Sequence, residues 1–435
     1  MREKIVITGA GLVGSLLSIF LAKRGHQVHI YEKRRDLRTG QVGGGRSINL
    51  ALSDRGLKAL DLVGLKQKAL DQVIPMKGRM IHDMDGNLDL QPYGNKGQVI
   101  NSISREKLNI LLMNEAEMNG VLLHFNYKCE EAVLHERKLV LVSPNGEKEK
   151  IKADVFIGAD GAFSALRGSL QKTDRFNYSQ DYLEHGYKEL SIPPVNGDFA
   201  MDPNALHIWP RKSFMLIALP NLDKTFTCTL FFPFEGSPSF SELDNDKKIR
   251  AFFGETFPDA VPLMPDLLKQ YNENPTSSLV TVRCYPWVND RFLLIGDASH
   301  AIVPFYGQGM NAGFEDCTVL SEIIDTNEGD WDKILSEFQE VRKKDADAIA
   351  SLALRNFIEM RDKVADENFL SRKKIEKELH AKYGDRWLPL YSMVTFSDMP
   401  YSEALRRAYI QDEIMAEMKG ASLNELMESY EGMVS

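Results

Sequence analysis

The sequence has little cysteine, no long apolar run and no excess of positive charge. Its four cysteines, Cys129, Cys228, Cys284 and Cys317, are scattered with no CxxC spacing. That pattern excludes a disulfide scaffold or zinc knuckle and reads as reduced thiols in a cytoplasmic protein. No uninterrupted apolar stretch approaches the roughly 18 residues of a membrane span. The N-terminus runs straight into a strand without a signal-peptide pattern, so no membrane anchor is expected in this chain. A net charge of −9 lacks the basic face that nucleic acid requires. The nine histidines are dispersed, with no HExxH, so no metal site is expected. There is no GxSxG elbow. Asp297, Ser299 and His300 lie on one turn and cannot align as a hydrolase triad. The remaining composition is that of an ordinary globular protein, and 435 residues suffice for two or three domains.

What is present begins at once. Lys4 to Thr8 is a short apolar, β-branched run that reads as a buried parallel strand. Gly9-Ala10-Gly11-Leu12-Val13-Gly14 follows, then a helical stretch from Ser15 to Arg24, then a second strand, Val28 to Tyr31, closed by Glu32. A strand–GxGxxG–helix–strand–acid unit is a dinucleotide grip. Gly9 permits the tight turn, Gly11 lets backbone approach a pyrophosphate, and Gly14 lets the helix pack against the strand. The helix N-terminus offers free N–H groups to phosphate. Glu32 suits a ribose diol and repels a 2′-phosphate, which points to FAD or NAD at this site. A second such unit is missing, so no domain is dedicated to a nicotinamide cofactor.

Further along, Gly43-Gly44-Gly45 is costly to order and suits backbone passing close to a cofactor. A helix is expected over Asp54–Val63. Met76–His82 reads as a strand that pairs with Leu88–Tyr93 through Asp85-Gly86-Asn87, which sets Arg79 near Tyr93. A helix is expected from Arg105 to about Met118, and a hairpin at Asn145-Gly146. Asp154–Gly161 returns to the buried-strand pattern. From about Leu183 to Trp287 the strands alternate and suggest an antiparallel sheet. Arg291–Ala298 goes back to the nucleotide domain, and the rest is helical, with an amphipathic stretch over Trp331–Met360.

Three distant motifs belong together: Gly9–Gly14, Gly158-Ala159-Asp160-Gly161 through Arg167, and Gly296-Asp297-Ala298-Ser299-His300 continuing as Pro304-Phe305-Tyr306-Gly307-Gln308-Gly309-Met310-Asn311. In this order and spacing the chain resembles the single-component FAD-dependent aromatic hydroxylases. The resemblance implies an α/β fold: a Rossmann-like FAD-binding domain at 1–182 and 288–325, an inserted antiparallel-sheet substrate domain at 183–287, and a helical C-terminal region at 326–435. The residues agree with it. Asp297, directly after a buried strand, can bond a ribityl hydroxyl, and the helix that follows Gly307 and Gly309 can hold the pyrimidine end of a flavin.

Six further blocks narrow the resemblance: Gly45–Ser53, Gln91–Gly94, His185–Leu190, Asn204–Pro210, Ala218–Asp223 and Tyr391–Phe396. Together they are similar to the branch of that family that hydroxylates L-kynurenine at ring carbon 3. This resemblance implies that NADPH reduces FAD, that O2 adds to the reduced flavin, and that the hydroperoxide passes oxygen to the ring. Alternatives are an aromatic hydroxylase of the same fold with a different anionic substrate, and a non-catalytic FAD-binding protein. The resemblance assigns Arg79, Tyr93, Asn356 and Tyr391 to a clamp for the substrate's amino-acid end. It assigns Leu206, Met215, Ile217, Leu219 and Phe231 to an apolar slot, with Pro304 and Phe305 beside the flavin. Toward FAD it assigns Gly9, Gly11, Val13, Gly14, Glu32, Arg34, Ala51, Arg105, Cys129 (through its backbone), Asp160, Asp297, Gly309, Met310 and Asn311. Tyr306 departs from the family pattern and bears on specificity. The oligomeric state stays open.

Overall fold

A computed structural model describes residues 2–40, 49–93, 97–359, 367–418 and 420–434. The triple glycine Gly43–Gly45, the adjoining Arg46–Ile48, Gly94 and Met360 lie outside the described residues. The first strand, Lys4–Thr8, sits inside a six-stranded sheet. It pairs in parallel with Gln27–Glu32 on one side (Ile7↔Ile30) and with Val155–Gly158 on the other (Ile7↔Ile157). Phe292–Leu294 extends the sheet beyond Val155–Gly158, and Leu122–Phe125 extends it beyond Gln27–Glu32. Ile5, Val6, Ile7, Phe156 and Ile157 are fully buried, as a strand with a covered face on each side requires.

The first helix runs Leu12–Lys23, one turn earlier than the side-chain pattern alone suggests, because it starts directly at the glycine turn. Gly9 has φ +100°, and a Cβ there would lie 2.5 Å from the Ala159 carbonyl oxygen; one at Gly14 would lie 2.1 Å from that of Gly9. Helix and strand therefore touch backbone to backbone. Gly14→Ala is expected to push the helix off the turn at a cost of about 1–3 kcal/mol. The purified variant should carry substoichiometric flavin, read from its visible absorbance.

The second sheet has seven strands. Ala205–Arg211, Phe214–Pro220 and Phe226–Pro233 form an antiparallel meander, and Asn177–Ile192 and Thr276–Tyr285 continue it. This sheet reaches beyond the expected 183–287 segment. Its other edge is the hairpin Gly78–His82 with Leu88–Pro92, and Gly78–His82 pairs in parallel with Ala205–Arg211 (Arg79↔Leu206). The single strand expected over Met76–His82 is thus divided. Val73–Met76 pairs with Ile100–Ser104 in a small separate sheet, and the chain crosses to the large sheet at Lys77. At the crossing, a Cβ on Gly78 would fall 2.5 Å from the Gln91 carbonyl oxygen. One face of the large sheet packs Trp209, Phe226 and Phe232 against Phe253 and Phe257 at the helix Asp246–Thr256. The opposite face lines the site.

Helices Gly309–Thr326 and Trp331–Ile358 join the two halves, and Leu390–Thr395 and Tyr401–Glu417 pack on them. Trp387, Tyr430 and Leu379 form a small core among the last helices. Among the described residues no helix is long and apolar enough to cross a membrane, and no cluster suited to a metal ion occurs.

Candidate active site

A continuous cavity of about 660 Å3 runs from the first glycine turn to the inner face of the seven-stranded sheet, a size proper to a cofactor or small-molecule site. Its two ends differ in chemistry.

At the glycine end, Gly11 caps the first helix without any side-chain bond, and a Cβ added there would meet nothing within 4 Å among the described residues. First-turn N–H groups therefore face open space, as a pyrophosphate requires. Glu32 accepts the Ala10 N–H at 2.9 Å and the Arg34 N–H and Nε at 2.9 and 2.8 Å. Burial pushes its carboxyl upward, but Arg34 outweighs burial and holds it below the usual value. It stays ionised and able to accept ribose hydroxyls. Arg105 begins the helix Arg105–Met118, lines the cavity, and lies near Asp297. Burial raises the Asp297 carboxyl, and Arg105 opposes it. Asp160 accepts the Ala165 N–H at 2.8 Å through Oδ2, while its buried Oδ1 has no partner among the described residues. An orphaned carboxylate oxygen, uncapped helix N–H groups and a glycine cradle fit FAD.

Val13, Ala51, Gly309 and Met310 also line the cavity. The helix Gly309–Thr326 likewise opens without a side-chain cap. Cys129 is on the wall, but burial pushes its thiol up to about 12, so it is no nucleophile. Gly14 and Asn311 do not reach the wall. Gly14 works through packing. The Asn311 amide ties loops together, donating to Ala51 and Gly307 carbonyls at 2.8 and 2.9 Å and accepting the Ser53 N–H at 3.0 Å.

At the sheet end, alternate strand positions put Leu206, Met215, Ile217, Leu219 and Phe231 on the wall, with Pro304 and Phe305 crossing between the two ends. Arg79 projects into the same space. Its guanidinium carbon lies 4.4 Å from the Tyr391 ring centre and 5.7 Å from that of Tyr93. The Tyr93 and Tyr391 rings stack at 5.6 Å, and Tyr306 stacks with Tyr391 at 5.7 Å. Arg79 has no carboxylate partner among the described residues. The guanidinium stays charged, as arginine does in proteins, and packs on the Tyr391 ring. The Tyr93 hydroxyl is buried with no hydrogen-bond partner among the described residues. A bare guanidinium and an idle phenol at the end of an apolar slot are the donor set for a carboxylate.

Asn356, the fourth residue expected in the clamp, is not among the residues lining the cavity. Its amide donates to the Phe305 carbonyl at 2.8 Å, so it steadies the loop beneath the wall. Sequence reasoning passed over Ile208, although its i+2 spacing from Leu206 on one strand was the signal. It also passed over Tyr127, which follows the strand Leu122–Phe125 and has no periodic signal.

Residues 2–350 match the family described as FAD binding domain. The chain is 51% identical over 419 residues to the kynurenine 3-monooxygenase of Flavobacterium psychrophilum, covering 96% of this chain and 93% of that protein. It is 52% identical over 419 residues to the enzyme of the same name from Flavobacterium johnsoniae, covering 95% and 93%. In solved structures it is similar to the tetrameric form of 2-methyl-3-hydroxypyridine-5-carboxylic acid oxygenase. The TM-score is 0.68 at 21% identity, over 83% of this chain and 94% of that one, a likeness of fold. With the cavity's two ends in view, the chain belongs to the kynurenine 3-monooxygenase family of FAD-dependent monooxygenases.

Proposed function

We propose that the protein hydroxylates L-kynurenine to 3-hydroxykynurenine with NADPH and O2, using FAD held at the glycine end of the cavity. The observation that carries this reading is the Arg79 cation, which has no carboxylate partner among the described residues and lies against the Tyr391 and Tyr93 rings at the sheet end of the cavity. Kynurenine is an amino acid bearing an aminoaryl ketone. Its carboxylate suits a two-pronged bond to Arg79, with Tyr93 and Tyr391 donating their hydroxyls. The aryl ketone then lies along Leu206, Met215, Ile217 and Phe231, toward the flavin loop at Pro304 and Phe305. Bound FAD, once reduced, supplies the oxygen activation. The chain's own task is to fix the ring's position and keep water out, which falls to Phe231, Phe305 and Phe357. Their rings pack in series, Phe231 tilted against Phe305 at 5.0 Å and Phe305 stacked on Phe357 at 4.4 Å.

On this reading 1–182 and 288–325 serve FAD, 183–287 with the Gly78–Pro92 hairpin serves substrate, and 326–435 closes the site through Tyr391. Four free thiols and a reaction drawing on NADPH fit a cytoplasmic setting.

The test is mass-spectrometric identification of the product from kynurenine, NADPH and O2, with hydroxybenzoates run in parallel. NADPH consumption alone is insufficient, because an ill-fitting aromatic can drive it without hydroxylation. Hydroxylated kynurenine is expected; a hydroxylated benzoate in its place would overturn the reading. Tyr306 makes no hydrogen bond among the described residues and borders the clamp. Its removal as Tyr306→Phe should raise the kynurenine KM by about 2- to 10-fold, the worth of one neutral hydrogen bond, with flavin content unchanged.

A further inference from the structure

Behind Arg79, on the other face of its strand, four polar groups form a chain that local side-chain patterns do not announce. His207 Nε2 meets the Asp202 carbonyl at 2.8 Å. His207 Nδ1 meets His82 Nε2 at 2.8 Å, and His82 Nδ1 meets Asp259 Oδ2 at 2.6 Å. His82 and His207 are buried. A carbonyl and a carboxylate only accept, so both ends of the chain are acceptors. Three links then need three hydrogens, and two neutral imidazoles carry two. Without a third, two lone pairs would face each other at one of these short contacts.

We infer that this chain holds one proton beyond those of two neutral imidazoles, shared between His82 and Asp259, and that it makes His82 the positioning residue for Arg79. The inference rests on the reading of Arg79 as the carboxylate clamp. The proton's place follows from the surroundings. Burial keeps His207 neutral, its pKa pushed down to about 4. Trp209 Nε1 donates to both oxygens of Asp259 at 3.0 and 2.9 Å, and the Trp209 ring stacks on His82 at 3.9 Å. Burial also lowers His82, although Asp259 opposes it. The 2.6 Å contact between His82 Nδ1 and the carboxylate keeps the third hydrogen within this pair.

Other charged groups are engaged elsewhere. Arg211 donates to the Thr256, His82 and Asp83 carbonyls at 2.7, 3.0 and 3.2 Å. The Asp83 carboxylate caps its own turn through Asn87, and the Asp202 carboxylate accepts the Asn204 N–H at 2.8 Å.

The positional consequence follows from topology. Gly78–His82 is next to the edge of its sheet, shielded only by the exposed strand Leu88–Pro92. His82 lies three residues from Arg79 and ties that strand to Ala205–Arg211 and to Asp259. Loss of the proton breaks one link, loosens the strand, and lets the guanidinium wander.

Asp259→Asn separates this account from simple packing. An asparagine amide can donate to His82 Nδ1 and accept from Trp209, so all links are satisfied with neutral imidazoles. Imidazole-labelled NMR of the FAD-loaded protein at neutral pH should find three slowly exchanging chain protons in the wild type. The variant should retain two on its imidazoles. The wild-type kynurenine KM should climb as pH rises and the proton leaves, while Asp259→Asn stays flat once the substrate's own titration is divided out. His82→Ala should raise KM about 5- to 10-fold with kcat within about twofold, and speed amide exchange in 78–82, whereas Asp259→Asn leaves that exchange slow. Two chain protons in the wild type, or 78–82 exchange unmoved in His82→Ala, would overturn the inference. Should no form turn over kynurenine, the functional reading fails, and the proton count and amide exchange still decide this one.

Discussion

Arg79→Ala is expected to cut kcat/KM for kynurenine by roughly 30-fold to several thousand-fold, chiefly through KM, while the protein stays yellow. The scale is that of removing one partner from a desolvated, hydrogen-bonded charge pair, about 2–5 kcal/mol. The loss falls on binding because the guanidinium meets the carboxylate, which is remote from the ring carbon that reacts. Some kcat should go too, since a ring no longer held from its far end spends less time aligned. Arg79→Lys keeps the charge but not the fork, and should recover only part of the loss. FAD retention separates this from misfolding: Arg79 is at the sheet end, and the glycine-turn contacts of Glu32, Arg105 and Gly11 are untouched. Steady-state kinetics with product quantified, beside the flavin-to-protein absorbance ratio, check it. A normal KM in Arg79→Ala would remove the clamp from the site.

How far the sequence could be read depended on whether the signal was local. The nucleotide half was legible because its parts are neighbours in the chain: strand, glycine turn, helix and acid lie within Lys4–Glu32 and fold as they read. The slot was legible only through the family resemblance, which named Leu206, Met215, Ile217, Leu219 and Phe231; alternation along the strands then puts them on one wall. The Gly78–Pro92 hairpin was correctly seen as a hairpin, but nothing local tells that its partner is Ala205–Arg211, more than 100 positions later. Parallel pairing at that range leaves no periodic trace. Asn356 shows a different limit. Its chemistry suits a substrate amine, but its rotation on the helix Trp331–Ile358 gives its amide to the Phe305 carbonyl. The His82–His207–Asp259 chain escaped for both reasons, since its members come from three segments and each alone reads as an ordinary buried or surface group.

Asp316→Ala should lower stability by about 3–5 kcal/mol and weaken FAD binding with it. Asp316 is fully buried in the helix Gly309–Thr326. Its Oδ2 accepts the Gly296 N–H at 3.0 Å and His300 Nε2 at 2.6 Å, and its Oδ1 accepts Arg342 Nε at 3.0 Å. Alanine leaves three buried donors without their acceptor. Arg342 keeps Glu315 and Asp345, at 3.1 and 3.4 Å, which limits the loss. Gly296 has no such second partner for its N–H among the described residues, and its turn, at φ +59°, aims Asp297 into the cavity. The defect therefore travels from a buried ion pair to a cofactor contact. Burial pushes the Asp316 carboxyl up, but His300 and Arg342 hold it below its ordinary value of 3.8. A depressed carboxyl contributes its stability above the unfolded value and loses it as pH falls through the folded one. The gap between wild type and Asp316→Ala should thus be full at pH 7 and begin to close only below about 3.8. Thermal release of flavin fluorescence, measured at neutral pH, reads the effect. Asp316→Asn, which keeps the shape and one acceptor oxygen, should fall between the two.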